Sequence, residues 1–447
     1  MKKPLIRRRQ QPSRERGMTI ALVAVMMLTL IGMAALSIDL VALYLAREEA
    51  QRTADTAALA AARVLSITGV TGDPDNIQGS LPSSPWPAAC TLASQVAQAV
   101  VNQNSVGAAT PTTTTVTFSY NGTSFGDCSG PSGTGFALNP QVQVQVVRQS
   151  LPAFFARIWG QTTNQVSASA IAEAYNSSNS QSFSNTGNII PVNPRCVKPW
   201  IVPNLDPGNG NNPFITLASD TINNEGVRFN GASPGIVGER YIYTNACGPG
   251  GTCTVPVSTP AQTYVPALVT ATSVGYPSCA NEDTFQQAIG GCDQSTQYYA
   301  CGQPIGGGPG GAQADLSGTY NSDTNTAAQC LIRQPGQDTL NTAAFPYQII
   351  PGSSNPVITS GTVTSSSSIV SIPIYDQTVA PGTLGSSGNL QPYVSVIGFL
   401  QVFINQAYPN GNLDLTVLNV AGCGNTNFGN PTVGGTSPVP VRLITPP

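Results

Sequence analysis

One stretch near the start of the chain constrains everything after it. Residues 16–65 read as a single helix, in which an uncharged apolar run, 18–38, is followed without a Gly or Pro break by an alanine-rich amphipathic segment, 40–65. The 21 residues of the run rise about 31 Å at 1.5 Å each, enough to cross a hydrocarbon core of roughly 30 Å. Seven basic residues (Lys2, Lys3, Arg7, Arg8, Arg9, Arg14, Arg16) and one acid, Glu15, precede it. That excess places the N-terminus in the cytoplasm and the bulk of the chain outside. A cleaved signal peptide also begins with basic residues, but its apolar region usually runs about 7–15 residues and ends in a small-residue cleavage site. A longer run that continues as helix reads as an uncleaved, single-pass anchor.

Past the apolar run, Ala42, Ala46, Ala50, Ala54, Ala58 and Ala62 recur every fourth residue, and Ala57 and Ala61 widen the stripe. An i, i+4 ridge of small side chains lets another helix approach closely, which makes this stripe the candidate helix-packing face toward a partner protein. Alanine is also the best helix former, but that preference does not require six in register. Glu48 and Arg52 form an i, i+4 pair in the favourable order, suited to a solvated opposite side. Asp39 sits where the apolar run meets water. It reads as an interfacial boundary residue, the other reading being a buried partner for another chain.

Arg16-Gly17, the apolar run, Asp39, Tyr44, Gln51, Ala54-Asp55 and the stretch 57–62 together resemble the N-terminal signature of TadG-like Flp pilus-assembly proteins of bacterial tight-adherence (Tad) systems. The resemblance covers about 50 residues and implies an inner-membrane anchor with a periplasmic or cell-surface remainder. Its implied partners are other pilus-assembly or membrane proteins, met through the N-terminal helix. Type IV pilins share a basic leader, a Gly and an apolar helix, but carry Glu five residues after the cleavage Gly, where this chain has Leu22.

After residue 65 the chain has 8 basic and 16 acidic residues and no basic cluster, so nothing tracks a phosphate backbone and nucleic acid is not an expected partner. Richness in Gly, Pro, Ser, Thr, Asn and Gln points to short strands joined by many turns. All ten cysteines lie beyond the apolar run. An even number in an exported segment reads as disulfides. Cys90 with Cys128, and Cys247 with Cys253, are the candidate bridges. No C-x-x-C pair and no histidine occur, so no zinc cluster or other cofactor is expected.

The expected fold class is α+β, with a transmembrane helix, a small pilin-like α+β region and a β-rich, disulfide-braced exterior domain. Residues 1–17 are the basic leader and 18–65 the anchor with its alanine-rich extension. In 66–175, a helix over 88–102 precedes strands at 112–120, 141–147 and 165–175, with an apolar turn or short helix at 151–159. The Ser/Asn-rich stretch 176–188 reads as a linker. Residues 189–447 form the larger domain, with strands at 368–375, 393–404 and 413–420. The apolar run 395–404 is too short for a second span and reads as a buried strand.

Motifs for chemistry arise without their supporting residues. Residues 122–126 and 231–235 both fit G-x-S-x-G, and 126–130 is like a protease serine loop, but no histidine is present to take the serine proton. Lys198 is the only lysine in the exterior. The Gly/Pro loop 302–311 lacks the preceding strand that a phosphate-cradling loop needs. Residues 315–319 approach the D-x-S-x-S metal motif of von Willebrand A domains, with Thr319 in place of the last Ser and no strand before it. Carboxylate pairs for glycoside cleavage reduce to the adjacent Glu282 and Asp283 and the isolated Glu225 and Glu239. The expectation is a non-enzymatic structural or assembly component of a Tad/Flp-type pilus. The alternatives are an exported adhesin or glycan-binding protein, with Trp200, Tyr241, Tyr243, Tyr298 and Tyr299 as contacts to a surface glycan, or a carboxylate-dependent hydrolase.

Overall fold

The computed structural model describes residues 14–68, 70–71, 85–119, 124–128, 140–160, 162–175, 192–194, 196–216, 221–222, 236–246, 261–266, 284–291, 304–306, 321–343, 346–358, 360–363, 365–377, 382–384, 391–423, 433–435 and 439–444. The stretch read as a linker, 176–188, lies outside them, as do residues 1–13 of the leader. In chain order the elements used below are α1 (Arg14–Ile67), α2 (Pro85–Gln103), β1 (Thr113–Ser119), β2 (Gln141–Pro152), β3 (Thr163–Ala174), β4 (Trp200–Pro203), β5 (Arg240–Asn245), β6 (Thr263–Pro266), α3 (Thr284–Gly290), α4 (Asn321–Ile332), β7 (Ile369–Tyr375), β8 (Gln391–Ala407), β9 (Leu413–Gly422) and β10 (Val441–Ile444). One long apolar helix is followed by strand-rich chain, the α+β class expected from sequence.

The chain forms two compact units. The first comprises Met1–Ala54, Val101–Thr114 and Gln145–Ala168, and the second Asp55–Val100, Thr115–Val144 and Ser169–Pro447. α1, α2 and β1 to β3 contribute residues to both. The small sheet has the order β1-β2-β3-β10. Alternating Gln and Val put Val142, Val144 and Val146 on the buried side of β2. β10 comes from the far end of the chain and pairs antiparallel with β3, setting Arg442 opposite Glu173. Burial raises the pKa of the Glu173 carboxyl, and Arg442, bonded to it and lying over the Tyr175 ring, opposes that rise. α2 begins at Pro85, where a missing N–H leaves no helical bond unmade. Its Trp86 meets Phe118 of β1 edge-to-face at 6.1 Å. A disulfide joins Cys90 of α2 to Cys128, 38 residues on. Closing a loop of that length stabilises the fold by roughly 4 kcal/mol on a chain-entropy model.

Within the second unit, six strands close into a barrel in the order β8-β7-β4-β6-β5-β9 and back to β8. The pairs β7–β4 and β6–β5 are parallel and the others antiparallel. Its interior is apolar and includes Trp200, Tyr264, Ile372, Leu400, Val402 and Leu415. The run read as a buried strand is the middle of β8, and it is buried on both faces: Leu400, Val402 and Ile404 join the interior cluster, while Phe403 packs with Ile67, Ile349 and Leu418. α3 and α4 cover the same core with Phe285, Ile289, Ala327 and Leu331. The β8–β9 register slips between Gln401 and Val402. The inward set on β9 accordingly moves from Leu413, Leu415 and Val417 to Val420. At the neighbouring irregular part of β8, Gly398 is obligatory for space: a Cβ there would stand 2.3 Å from Ile215 Cδ1 and 2.6 Å from the Ala421 carbonyl oxygen.

The end of α1 is tied to this barrel. The Asn419 amide nitrogen, fully buried, donates to the Ser66 carbonyl oxygen and to Thr71 Oγ1, both at 2.9 Å. Ser66 lies in the last turn, where helical carbonyls lose their own partners. Asn419→Leu removes that donor at a buried site, and we expect a loss of roughly 1–3 kcal/mol. Denaturant unfolding of the full chain in detergent micelles checks this, and an unchanged midpoint would refute the clamp.

Candidate membrane-anchor site

From Thr19 onward α1 is long and apolar enough to cross a membrane. Between Thr19 and Ile38 every residue is solvent-exposed except Gly32, half-buried, and Ala35, buried. Gly32, Ala35 and Asp39 are spaced to share one helix face. Asp39 is only 5% exposed, and a carboxylate so placed requires donors. The turn after β2 supplies three. The amides of Phe154 and Phe155 donate to Asp39 Oδ1 and Oδ2 at 3.0 Å each, and that of Ala156 to Oδ2 at 2.7 Å. The turn continues as a short 3-10 helix, Ala156–Trp159, ended by Gly160 at φ +87°. A carboxylate at the start of such a turn meets amides that have no partner within it. Asp39 is thus an acceptor satisfied inside its own chain, where the sequence reading made it a boundary residue.

The alanine stripe is largely buried within the chain itself. Ala42 is half-buried, and Ala46, Ala50, Ala54, Ala57, Ala58, Ala61 and Ala62 are buried in the chain itself. Ala46 and Ala50 pack with Val106, Leu151, Val166 and Ala168, all in the first unit. Small side chains admit strands and loops as readily as helices, and a face already covered has no area left for a second protein. Glu49 Oε2 accepts the Gly107 amide at 2.7 Å. Gly107 has φ +59°, and a Cβ on it would stand 2.3 Å from Leu151 Cδ2. The outer side of α1 stays open: Leu40, Val41, Tyr44 and Leu45 are exposed. Leu43, Tyr44 and Arg47 face Gln165 and Ser167 of β3 across a groove of about 420 Å³.

Residues 17–64 match the family model for putative Flp pilus-assembly TadE/G-like proteins. Most of α1 is thus similar to the TadE/G-like segment. The match stops at residue 64, leaving the strands outside it, and it supports a part in pilus assembly. No curated protein and no solved structure matches the chain.

Among the described residues outside the matched segment, three of those singled out for chemistry or recognition come together: Glu239, Tyr241 and Tyr243 gather near Asp206 and Gly208. Ser124, Phe125 and Gly126 run alongside β1, with Gly126 bridging Phe118, so this G-x-S-x-G is not a strand-to-helix elbow. The second such motif, residues 315–319, the pair Glu282 and Asp283, Glu225, the Cys247–Cys253 bridge, Tyr298 and Tyr299 lie outside the described residues. Cys196, Cys330 and Cys423 are disulfide-bonded. Trp200 and Tyr243 are fully buried in the barrel and have no surface for a glycan, while Tyr241 is half-buried. Lys198 is buried, its Nζ donating to the Gly291 carbonyl at 2.6 Å, and burial lowers its pKa to about 7. Asp206, which sequence reading passed over, and Glu239 are both buried, and with burial itself they push the Tyr243 hydroxyl's pKa up. Glu239 and the Tyr241 hydroxyl press against the backbone of Gly208, where a Cβ would stand 2.1 Å from Glu239 Oε1 and 2.3 Å from the Tyr241 oxygen.

A second cavity, of about 430 Å³, is lined in part by Arg333, Asp338 and Asn355. Asp338 accepts from the Gly352 amide, the Asn355 side chain and the Ser366 hydroxyl. Burial alone would raise its pKa, but these bonds and the Arg333 charge outweigh it and hold the carboxyl below its ordinary 3.8. A folded value below the unfolded one stabilises fully above 3.8, and the contribution fades as pH falls through the lower folded value. Asp338→Asn should therefore cost roughly 1–3 kcal/mol at neutral pH, and its deficit against wild type should shrink in acid. Thermal unfolding of both chains across that pH range reads the difference, and a deficit independent of pH would refute the assignment. At the anchor, Asp39→Asn replaces a charged acceptor of three amides. Amide hydrogen exchange at residues 154–156 should quicken by about tenfold or more, the equivalent of losing one such bond. Unchanged exchange in the variant would show that the carboxylate does not hold the turn.

Proposed function

We propose that this chain is a membrane-anchored assembly component of a Flp-type pilus, single-pass in the inner membrane and working by protein contacts rather than by catalysis. The observation that carries the reading is the coincidence of the TadE/G-like match, residues 17–64, with an apolar helix long enough to span a bilayer. Support for orientation comes from the seven basic residues ahead of the apolar run, which favour a cytoplasmic N-terminus. The Cys90–Cys128 bridge fits an oxidising compartment for the remainder. Contacts to other pilus components fall on surfaces the fold leaves open, among them the outer side of α1 around Val41, Tyr44 and Leu45, since the alanine side is filled. In its α1 the chain carries its attachment to lipid.

The test is topology in cells. Protease added to spheroplasts should remove a C-terminal tag and spare an N-terminal one, and deletion of residues 19–38 should move the protein out of the membrane fraction. A protected C-terminal tag in spheroplasts that are otherwise digested would overturn the orientation. Normal pilus assembly in cells lacking the chain would overturn the role.

A further inference from the structure

We propose that the turn carrying Phe154 and Phe155 is a second, interfacial contact with the lipid bilayer, so that the first unit is held to the membrane at two points. The inference rests on the reading of α1 as a membrane anchor and adds to it a surface outside the matched segment.

The argument is one of height along the helix. Ile38 ends the apolar run, and Asp39, the next residue, binds the backbone of the turn through three amides. The turn is therefore fixed at the level where the run ends. It also lies on the one covered side there: Ala35, a turn earlier on the face of Asp39, is buried while Leu36 and Ile38 are exposed. From Ala35 to Ile38 is about 5 Å of rise. A bilayer deep enough to cover Leu36 and Ile38 meets the turn at the same depth.

What the turn presents at that depth is apolar. Phe154 is 60% and Phe155 37% exposed, adjacent aromatics on a turn whose backbone amides are already engaged by Asp39. Two bare phenyl rings on a surface turn are costly in water and favourable at the boundary between acyl chains and headgroups. The headgroup layer adds about 5–7 Å on each side of the hydrocarbon core, the reach of a Phe side chain. The exposed side of α1 continues the same belt with Leu40. The first exposed cations follow: Arg47, two turns past Asp39, and Arg157, on the short helix after Phe155. An arginine beyond the end of the apolar run can reach back toward phosphate with its guanidinium. Apolar residues first and cations after them is the order a bilayer surface imposes.

The functional consequence is rotational. A lone helix in lipid turns freely about its own axis, whereas a contact displaced from that axis fixes which side of the first unit faces the membrane. Such a unit presents one constant surface to other components in the membrane plane.

The full chain in nanodiscs of equal parts phosphatidylcholine and phosphatidylglycerol, doped with a phospholipid carrying a diazirine next to the acyl carbonyl, tests this by photolabelling and peptide mapping. The expected result is adducts on Phe154 and Phe155 as well as on the ends of the 19–38 stretch. Phe154→Ser with Phe155→Ser should lose the adducts at 152–160 and keep those on the helix, while Phe154→Leu with Phe155→Leu should keep both. Adducts on the helix with none on the wild-type turn overturn the second contact and leave the anchor standing. No adducts on 19–38 overturn the anchor and this inference together. Turn adducts undiminished by the serine pair overturn the role of the rings.

Discussion

A helix that leaves an apolar run with a stripe of methyl groups down one side must have that stripe covered, and in the first unit the strands β2 and β3 help to do so. Ala46 and Ala50 meet Val106, Leu151, Val166 and Ala168, and from Ala54 to Leu65 the same side stays buried to the helix end. Each alanine buries little area, so the gain comes from length and closeness rather than from large side chains. Closeness has its own requirements. Gly107 abuts Leu151 with no room for a Cβ, and Glu49 and Asp39 on the flanks of the stripe each take backbone amides from the chain laid against the helix.

Ionic groups reinforce this pattern because there are few of them. Charged residues make up 9% of the chain, and several of the carboxylates are buried at joints between distant segments. Asp39 ties residues 154–156 to α1, Glu173 meets Arg442 where β10 returns to β3, and Asp414 takes both Nε and a terminal nitrogen of Arg240 together with the Asn405 amide. A buried carboxylate with a full set of donors strengthens a joint, whereas removing the donors leaves a charge in a poor medium. Lys198 shows the opposite case: with a carbonyl as its described acceptor rather than a carboxylate, burial lowers its pKa to about 7.

Local periodicity made some elements legible and closure left others unseen. α1, α2 and the strands β1, β3, β7, β8 and β9 fall within a few residues of their sequence ranges, because each carries its own apolar rhythm. β2 runs on to Pro152, past the end of its Gln/Val alternation, since the continued strand brings Leu151 onto Ala46. α4 was missed: its polar start, Asn321 to Asn325, hides a four-spaced pair of apolar doublets, Ala327-Ala328 and Leu331-Ile332, that fill the barrel core. The barrel itself has no local sign. β4 and β6 are four residues each, and ring closure depends on pairings between strands far apart in the chain. The return of β10 to β3 is of the same kind, and it joins the last described residues to a strand more than 260 residues earlier.

The anchor site divides along the same line. A stripe of alanines declares a packing face from spacing alone, but spacing contains nothing about what lies on it, and a partner helix was the simplest guess for a chain read one helix at a time. The answer required knowing that Leu151 and Val166 come back to it. Asp39 was conspicuous as the first acid after an apolar run, yet its donors lie 115 to 117 residues away. The only local hint was Phe154-Phe155 at the end of an amphipathic strand, a pair of large apolar residues placed where a turn should be polar. The matched segment is recognised by its local pattern for the same reason it is a good helix: everything it needs in order to be identified lies within one or two turns. What it does against the rest of the chain is decided by residues outside it, and a match limited to 17–64 therefore speaks for the attachment and leaves the barrel to be read on its own geometry.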